Sequence, residues 1–144
     1  MQNPNPFAPA AYNGLSGDYP HGYVDAPFDY LYNVTLTAGQ FLRDQVLPIA
    51  TDADFLFRAV IMPVFGGAFL IRFSDSQGTY LSNGMIPNQN FLQNSVPVPY
   101  PMFPQWVIPA GGRIGIDIQD LSNAQNVIEI TFRGVKRYRL PAAA

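Results

Sequence analysis

The chain of 144 residues has no cysteine, which excludes disulfides and thiolate metal sites and leaves the redox compartment unread. It has one lysine, one glutamate and one histidine. Charged residues make up 12% of the chain, about half the usual share. So weakly charged an exterior tends to associate, and much of it is expected to be hidden against partners. The formal net charge is −2, which gives a nucleic-acid partner no electrostatic support. Long apolar runs are also missing. The longest uncharged apolar stretch, residues 59–71, is broken by Pro63, Gly66 and Gly67 and is too short to span a bilayer. The amino terminus lacks a basic start followed by an apolar core, so it does not read as a secretory signal. A soluble protein with no membrane partner is expected.

What is abundant is Phe (11), Tyr (8), Pro (14) and Gly (12), while strong helix formers are scarce. This composition favours an all-β fold with many loops. Residues 106–140 carry the clearest pattern. Ile114, Ile116 and Ile118 alternate with Arg113, Gly115, Asp117 and Gln119, a period of two that makes one face apolar. After a polar connector, Ile128, Ile130 and Phe132 alternate with Glu129, Thr131 and Arg133. Two such runs joined by a short polar segment predict an antiparallel hairpin with one buried face. A face of six residues is not stable alone, so a second sheet must cover it.

Residues 1–27 hold five prolines, no Lys or Arg and no periodicity, which predicts an extended Pro-rich arm. Its aromatics, Phe7, Tyr12, Tyr19 and Tyr23, suit an arm that orders against a partner. A domain over residues 28–140 follows. Strands are predicted at 28–36, within 40–49, at 55–62, at 69–73 and at 79–82. The run from Phe55 is apolar on both faces, so it should be central and covered twice. Residues 83–104 lose the pattern and end in closely spaced prolines, which predicts a long loop with an edge strand. Seven or eight strands at this spacing define an all-β, two-sheet antiparallel β-sandwich, jelly-roll-like rather than immunoglobulin-like.

Catalytic signals are weak. His21 sits in the arm, away from the rigid setting a catalytic base needs. Asp52 and Asp54 fit a plain turn better than a calcium loop. Asp117, Asp120 and Glu129 could pair as glycosidase carboxylates, but they read first as solvent-face residues. No phosphate-cradling glycine pattern is present. No cofactor, metal, small-molecule ligand or enzymatic activity is expected. Arg133, Lys136, Arg137 and Arg139 carry half of the basic charge within seven positions. They read either as a patch for an acidic surface or as a solvated terminal strand.

Two blocks resemble a small virion-protein family of tailed bacteriophages: Pro104–Tyr138, PQWVIPAGGRIGIDIQDLSNAQNVIEITFRGVKRY, and Phe55–Ser82, FLFRAVIMPVFGGAFLIRFSDSQGTYLS. The shared features are an IPAGG turn, a strand ending in Asp, an Asn-rich bend and a strand closing on FRGVKRY. The resemblance spans residues 28–140 and implies a jelly-roll cement (decoration) protein on the outer capsid surface. Its partners would be the major capsid protein and itself, as a dimer or trimer. Related sandwiches serve at the neck or tail. The resemblance implies no catalytic residues. Phe7, Tyr12, Tyr19, Tyr23, Tyr100, Phe103 and Trp106 are the candidate aromatic anchors, joined by the four basic residues. Trp106 has a competing reading as a core residue. A carbohydrate-binding jelly roll is the rival from another class, with Tyr100 and Trp106 stacking on sugars and Asn88, Asn90 and Asn94 donating hydrogen bonds.

Overall fold

The computed structural model describes residues 22–63, 66–92 and 98–141. Among the described residues eight strands form in chain order: β1 (Tyr23–Leu36), β2 (Phe41–Pro48), β3 (Asp54–Ile61), β4 (Phe69–Ser74), β5 (Ile86–Pro87), β6 (Tyr100–Ile108), β7 (Arg113–Asp120) and β8 (Asn126–Arg139). A single 3₁₀ turn at Asn88–Phe91 follows β5. The strands build two antiparallel sheets, ordered β1-β8-β3-β6 and β2-β7-β4-β5. Strand 1 pairs with 8, 2 with 7, 3 with 6 and 4 with 5. That is a long hairpin of four strand pairs wound over on itself, the jelly roll. The all-β sandwich expected from the sequence is the observed fold.

The period-two rows meet between the sheets. Ile114, Ile116 and Ile118 of β7 oppose Ile128, Ile130 and Phe132 of β8 in one buried cluster, with Phe55, Phe57 and Val60 of β3 and Phe69, Ile71 and Phe73 of β4. Phe57, Phe73 and Phe132 pack with ring centroids 5.3–6.4 Å apart, tilted or edge to face. β3 is interior to its sheet; on its outward side Leu56 is buried against Val135 of β8 and Val107 of β6, while Arg58 is exposed, so only part of that face is covered.

Three expectations need correction. β7 and β8 are not a hairpin: they lie in different sheets, and residues 121–125 carry the chain across the sandwich. Alternation fixes which face is buried, and that is equally true of two strands facing each other across a core. β1 begins at Tyr23 rather than at residue 28 and runs in unbroken register with β8. Pro27 is tolerated because β1 is an edge strand. Residues 79–82 form only an isolated bridge, Ser74 to Tyr80. The Pro-rich run at the end of the 83–104 segment leads into an edge strand, β6, as expected.

Gly134 fixes the distance between β8 and β3. A Cβ there would lie 1.9 Å from the Leu56 carbonyl oxygen. Gly134→Ala is therefore expected to destabilise the protein by about 1–3 kcal/mol through forced strand separation. Gly84→Ala, where a Cβ would meet nothing within 4 Å, serves as the comparison. Equal denaturant midpoints for the two variants would show that the close approach is not constraining.

Candidate partner-binding surface

The candidate anchors divide between the two flanks of one sheet. On β6, Tyr100 is partly exposed and packs edge-on against Phe91, with centroids 5.1 Å apart. Phe103 is 97% exposed. Trp106 stands opposite Phe57 and is partly buried, packed against the main core. β6 carries Pro101 and Pro104 around Phe103, and its register with β3 shifts between Phe57 and Ala59. Proline limits the conformations open to this segment. Phe7, Tyr12, Tyr19 and His21 lie outside the described residues.

On the opposite flank the basic run is engaged within the fold. Arg133 makes a two-pronged ion pair with Asp29, at 3.1 and 3.0 Å. Lys136 reaches Asp52 at 3.0 Å and lies 4.1 Å from the centroid of the Phe28 ring. Arg137 is only 1% exposed, holds Asp25 with two bonds of 2.7 Å, and stacks over Tyr23 at 3.8 Å. Arg139 is exposed at the end of β8. The reason is register: β1 places Asp25 and Asp29 directly opposite Arg137 and Arg133. Neither sequence reading of this run, free patch or solvated strand, describes Lys136 and Arg137, which are buried and paired. The Asp52 carboxyl is held below its ordinary range, chiefly by the Lys136 hydrogen bond. Lys136 loses hydration through burial, yet Asp52 keeps its pKa above the usual lysine value. A shallow pocket of about 280 Å³ beside them is lined by Asp52, Asp54, Arg137, Tyr138 and Arg139. Asp52 in it is bound to Lys136 and Tyr138, and Asp54 accepts from the Ala110 N–H.

Of the three carboxylates read as solvent-face residues, Glu129 is one, while Asp117 and Asp120 are buried and structural. Asp117 is buried, accepts from the Asp44 N–H at 2.9 Å and pairs with Arg72 at 2.9 Å. Burial pushes its carboxyl up, but those two partners more than reverse the effect and hold it low. Arg72 is in turn 3.5 Å from the Tyr80 ring centroid. Asp120, 2% exposed, accepts five hydrogen bonds, from the N–H groups of Gly39, Ser122 and Asn123, the Ser122 hydroxyl and the Asn126 amide. Glu129 is exposed. Asn88 accepts from the Phe69 N–H at 3.0 Å and is buried, Asn90 is exposed, and Asn94 lies outside the described residues. Among the described residues no three His, Cys, Asp or Glu side chains converge as metal ligands.

What sequence reasoning missed is the exposure of apolar side chains on β1, where Leu31 is 53% exposed. The signal was present: Leu31 interrupts an otherwise polar outward row of Asp29, Asn33 and Thr35. The chain matches no protein-family model, no curated protein and no solved structure.

The Asp120 carboxyl is held far below the ordinary carboxylate range, first by the Ser122 hydroxyl and then by the Gly39 and Ser122 N–H groups. A lowered pKa means that the folded state favours the charged form. Its stabilisation is complete above the unfolded value near 4 and is lost as pH falls towards the folded value. The melting temperature should therefore fall on acidification below about pH 4. Asp120→Asn should melt lower at pH 7 and show a shallower acid decline. Parallel melting-versus-pH curves for the two proteins would contradict this assignment.

Proposed function

We propose that the protein is a non-enzymatic structural component of a tailed-phage virion, a cement protein that binds the outer face of the capsid shell and stabilises it. The observation that carries this reading is Phe103, almost wholly exposed between two prolines on an edge strand. Leaving a large aromatic in water is unfavourable, and a stiff edge presenting one suits a flat apolar recess on a partner. The sequence resemblance supplies the kind of partner, the major capsid protein. The fold adds compatibility alone, because jelly rolls serve many functions. A ligand that binds only the assembled shell stabilises it by mass action, without chemistry. Capsid placement is favoured over neck or tail because cementing a shell needs only a rigid body with a small apolar contact, repeated many times.

The sugar-binding alternative gains no specific support. Trp106 is partly buried against the core and the Asn88 side chain is spent on the Phe69 N–H. The partner surface comprises the β6 edge with Tyr100 and Phe103. Arg139 at the end of β8 and the aromatics of the amino-terminal segment, Phe7, Tyr12 and Tyr19, remain candidates for it. Purified protein is expected to co-sediment with shells that lack it. Phe103→Ala should weaken that attachment by about 2 kcal/mol or more, roughly thirtyfold, with unchanged melting temperature. Undiminished co-sedimentation of the variant would remove Phe103 from the interface. Failure of the unaltered protein to sediment with shells would defeat the capsid reading.

A further inference from the structure

A two-sheet sandwich has four open edges, and three of them here are blunted. β2 is broken by a register shift between Leu42 and Gln45, with Asp44 in the left-handed region at φ 54°, and ends at Pro48. β5 is two residues long, one of them proline. β6 carries two internal prolines and a register shift. Short length, bulges and proline are the devices that keep sheet edges from pairing with other chains. β1 has almost none of them. It runs 14 residues in unbroken register with β8, without Lys or Arg, and its only proline is Pro27. Among the described residues no strand pairs with its outer side. From Phe28 to Leu36 the backbone offers a straight row of donors and acceptors.

We infer that β1 is a self-association edge, pairing antiparallel with β1 of a second copy about a two-fold axis at Leu31 and joining two four-stranded sheets into one of eight strands. The choice of a second copy rests on self-complementarity along the strand. With the axis at Leu31, the outward row places Leu31 against Leu31 of the other copy, Asp29 against its Asn33, and Pro27 against its Thr35. The inward row places Tyr30 against its Tyr32, and Phe28 against its Val34. No like charges face each other, the carboxylate of Asp29 meets an amide donor, and the aromatic and β-branched pairs are those that stabilise antiparallel ladders. The proline falls at the end of the paired stretch, where a missing N–H costs least. The nine residues from Pro27 to Thr35 span about 30 Å at 3.4 Å per residue. The contact is isologous, so it closes at two copies. It does not rest on the capsid reading, since it concerns the free protein and uses the edge opposite to β6.

The test is the mass of the full chain in solution, by sedimentation velocity or light scattering across a concentration series. The unaltered protein is expected at twice 15.9 kDa. Leu31→Lys with Thr35→Lys places four cations along the paired row, two of them face to face at the axis, while leaving the core untouched. It should raise the dissociation constant on the order of a hundredfold and shift the mass to that of one chain. Val46→Lys, an exposed apolar position on the β2 edge of the other sheet, should remain at two chains. A single-chain mass for the unaltered protein, a three-chain mass, or a double-lysine variant that still pairs would each overturn the inference. A second readout avoids dependence on the variant's folding: hydrogen exchange in residues 28–35 of the unaltered protein should slow as concentration rises. Exchange there that does not change with concentration would also overturn it.

Discussion

The carboxylate of Asp120 is the constraint on which the rest of the sandwich depends. One oxygen accepts from the Ser122 N–H and hydroxyl and from the Asn126 amide, and the other from the Gly39 and Asn123 N–H groups. Those donors belong to the turn after β1 and to the segment that leaves one sheet for the other. The Asn126 side chain extends the network, accepting from the Gly67 N–H and donating to the Gly67 carbonyl. Backbone bonds from Asp120 to Gln40 and from Leu121 to Ala68 close the same region. One buried charge, fully satisfied, thus ties three chain segments together where β7 gives way to β8. Such a network rigidifies when complete and is costly when any member is lost.

Much of this was legible in the sequence, and the losses have a common cause. Period-two alternation located five of the strands, β1, β3, β4, β7 and β8, because the pleat makes it a local property. The neighbour of each strand is not a local property. The isoleucine rows of β7 and β8 were assigned to one hairpin when they face each other across the core, since both arrangements satisfy the same pattern. Asp120 and Asn126 looked like ordinary polar residues of a bend. Their partners Gly39 and Gly67 stand 81 and 59 residues away. The basic run failed in the same way. The partners of Arg133, Lys136 and Arg137, namely Asp29, Asp52 and Asp25, lie 104, 84 and 112 residues distant; Asp29 and Asp25 arrive by the pairing of β1 with β8, and Asp52 in the turn before β3. Trp106 had been left open between core and interface, and it is opposite Phe57 that it packs. The prolines of β6 correctly announced an edge, because a missing N–H is a local fact with one structural consequence.

Arg72, Arg133, Lys136 and Arg137 are paired with carboxylates inside the fold. Large apolar side chains exposed on the edge strands of the β1-β8-β3-β6 sheet include Phe103 and Tyr100 on β6 and Leu31 and Phe28 on β1. These lie on opposite flanks of the same sheet. The arrangement would let one edge join copies while the other meets a shell, a division of labour that suits a cement protein and requires no movement within the domain.

The most direct measurement is the copy number of this chain relative to the major capsid protein in purified virions, by quantitative mass spectrometry. A cement protein should appear at a simple fraction of the capsid copy number, in the hundreds per particle. A handful of copies would place it at the neck or tail, and its absence from virions would contradict the structural-protein account altogether.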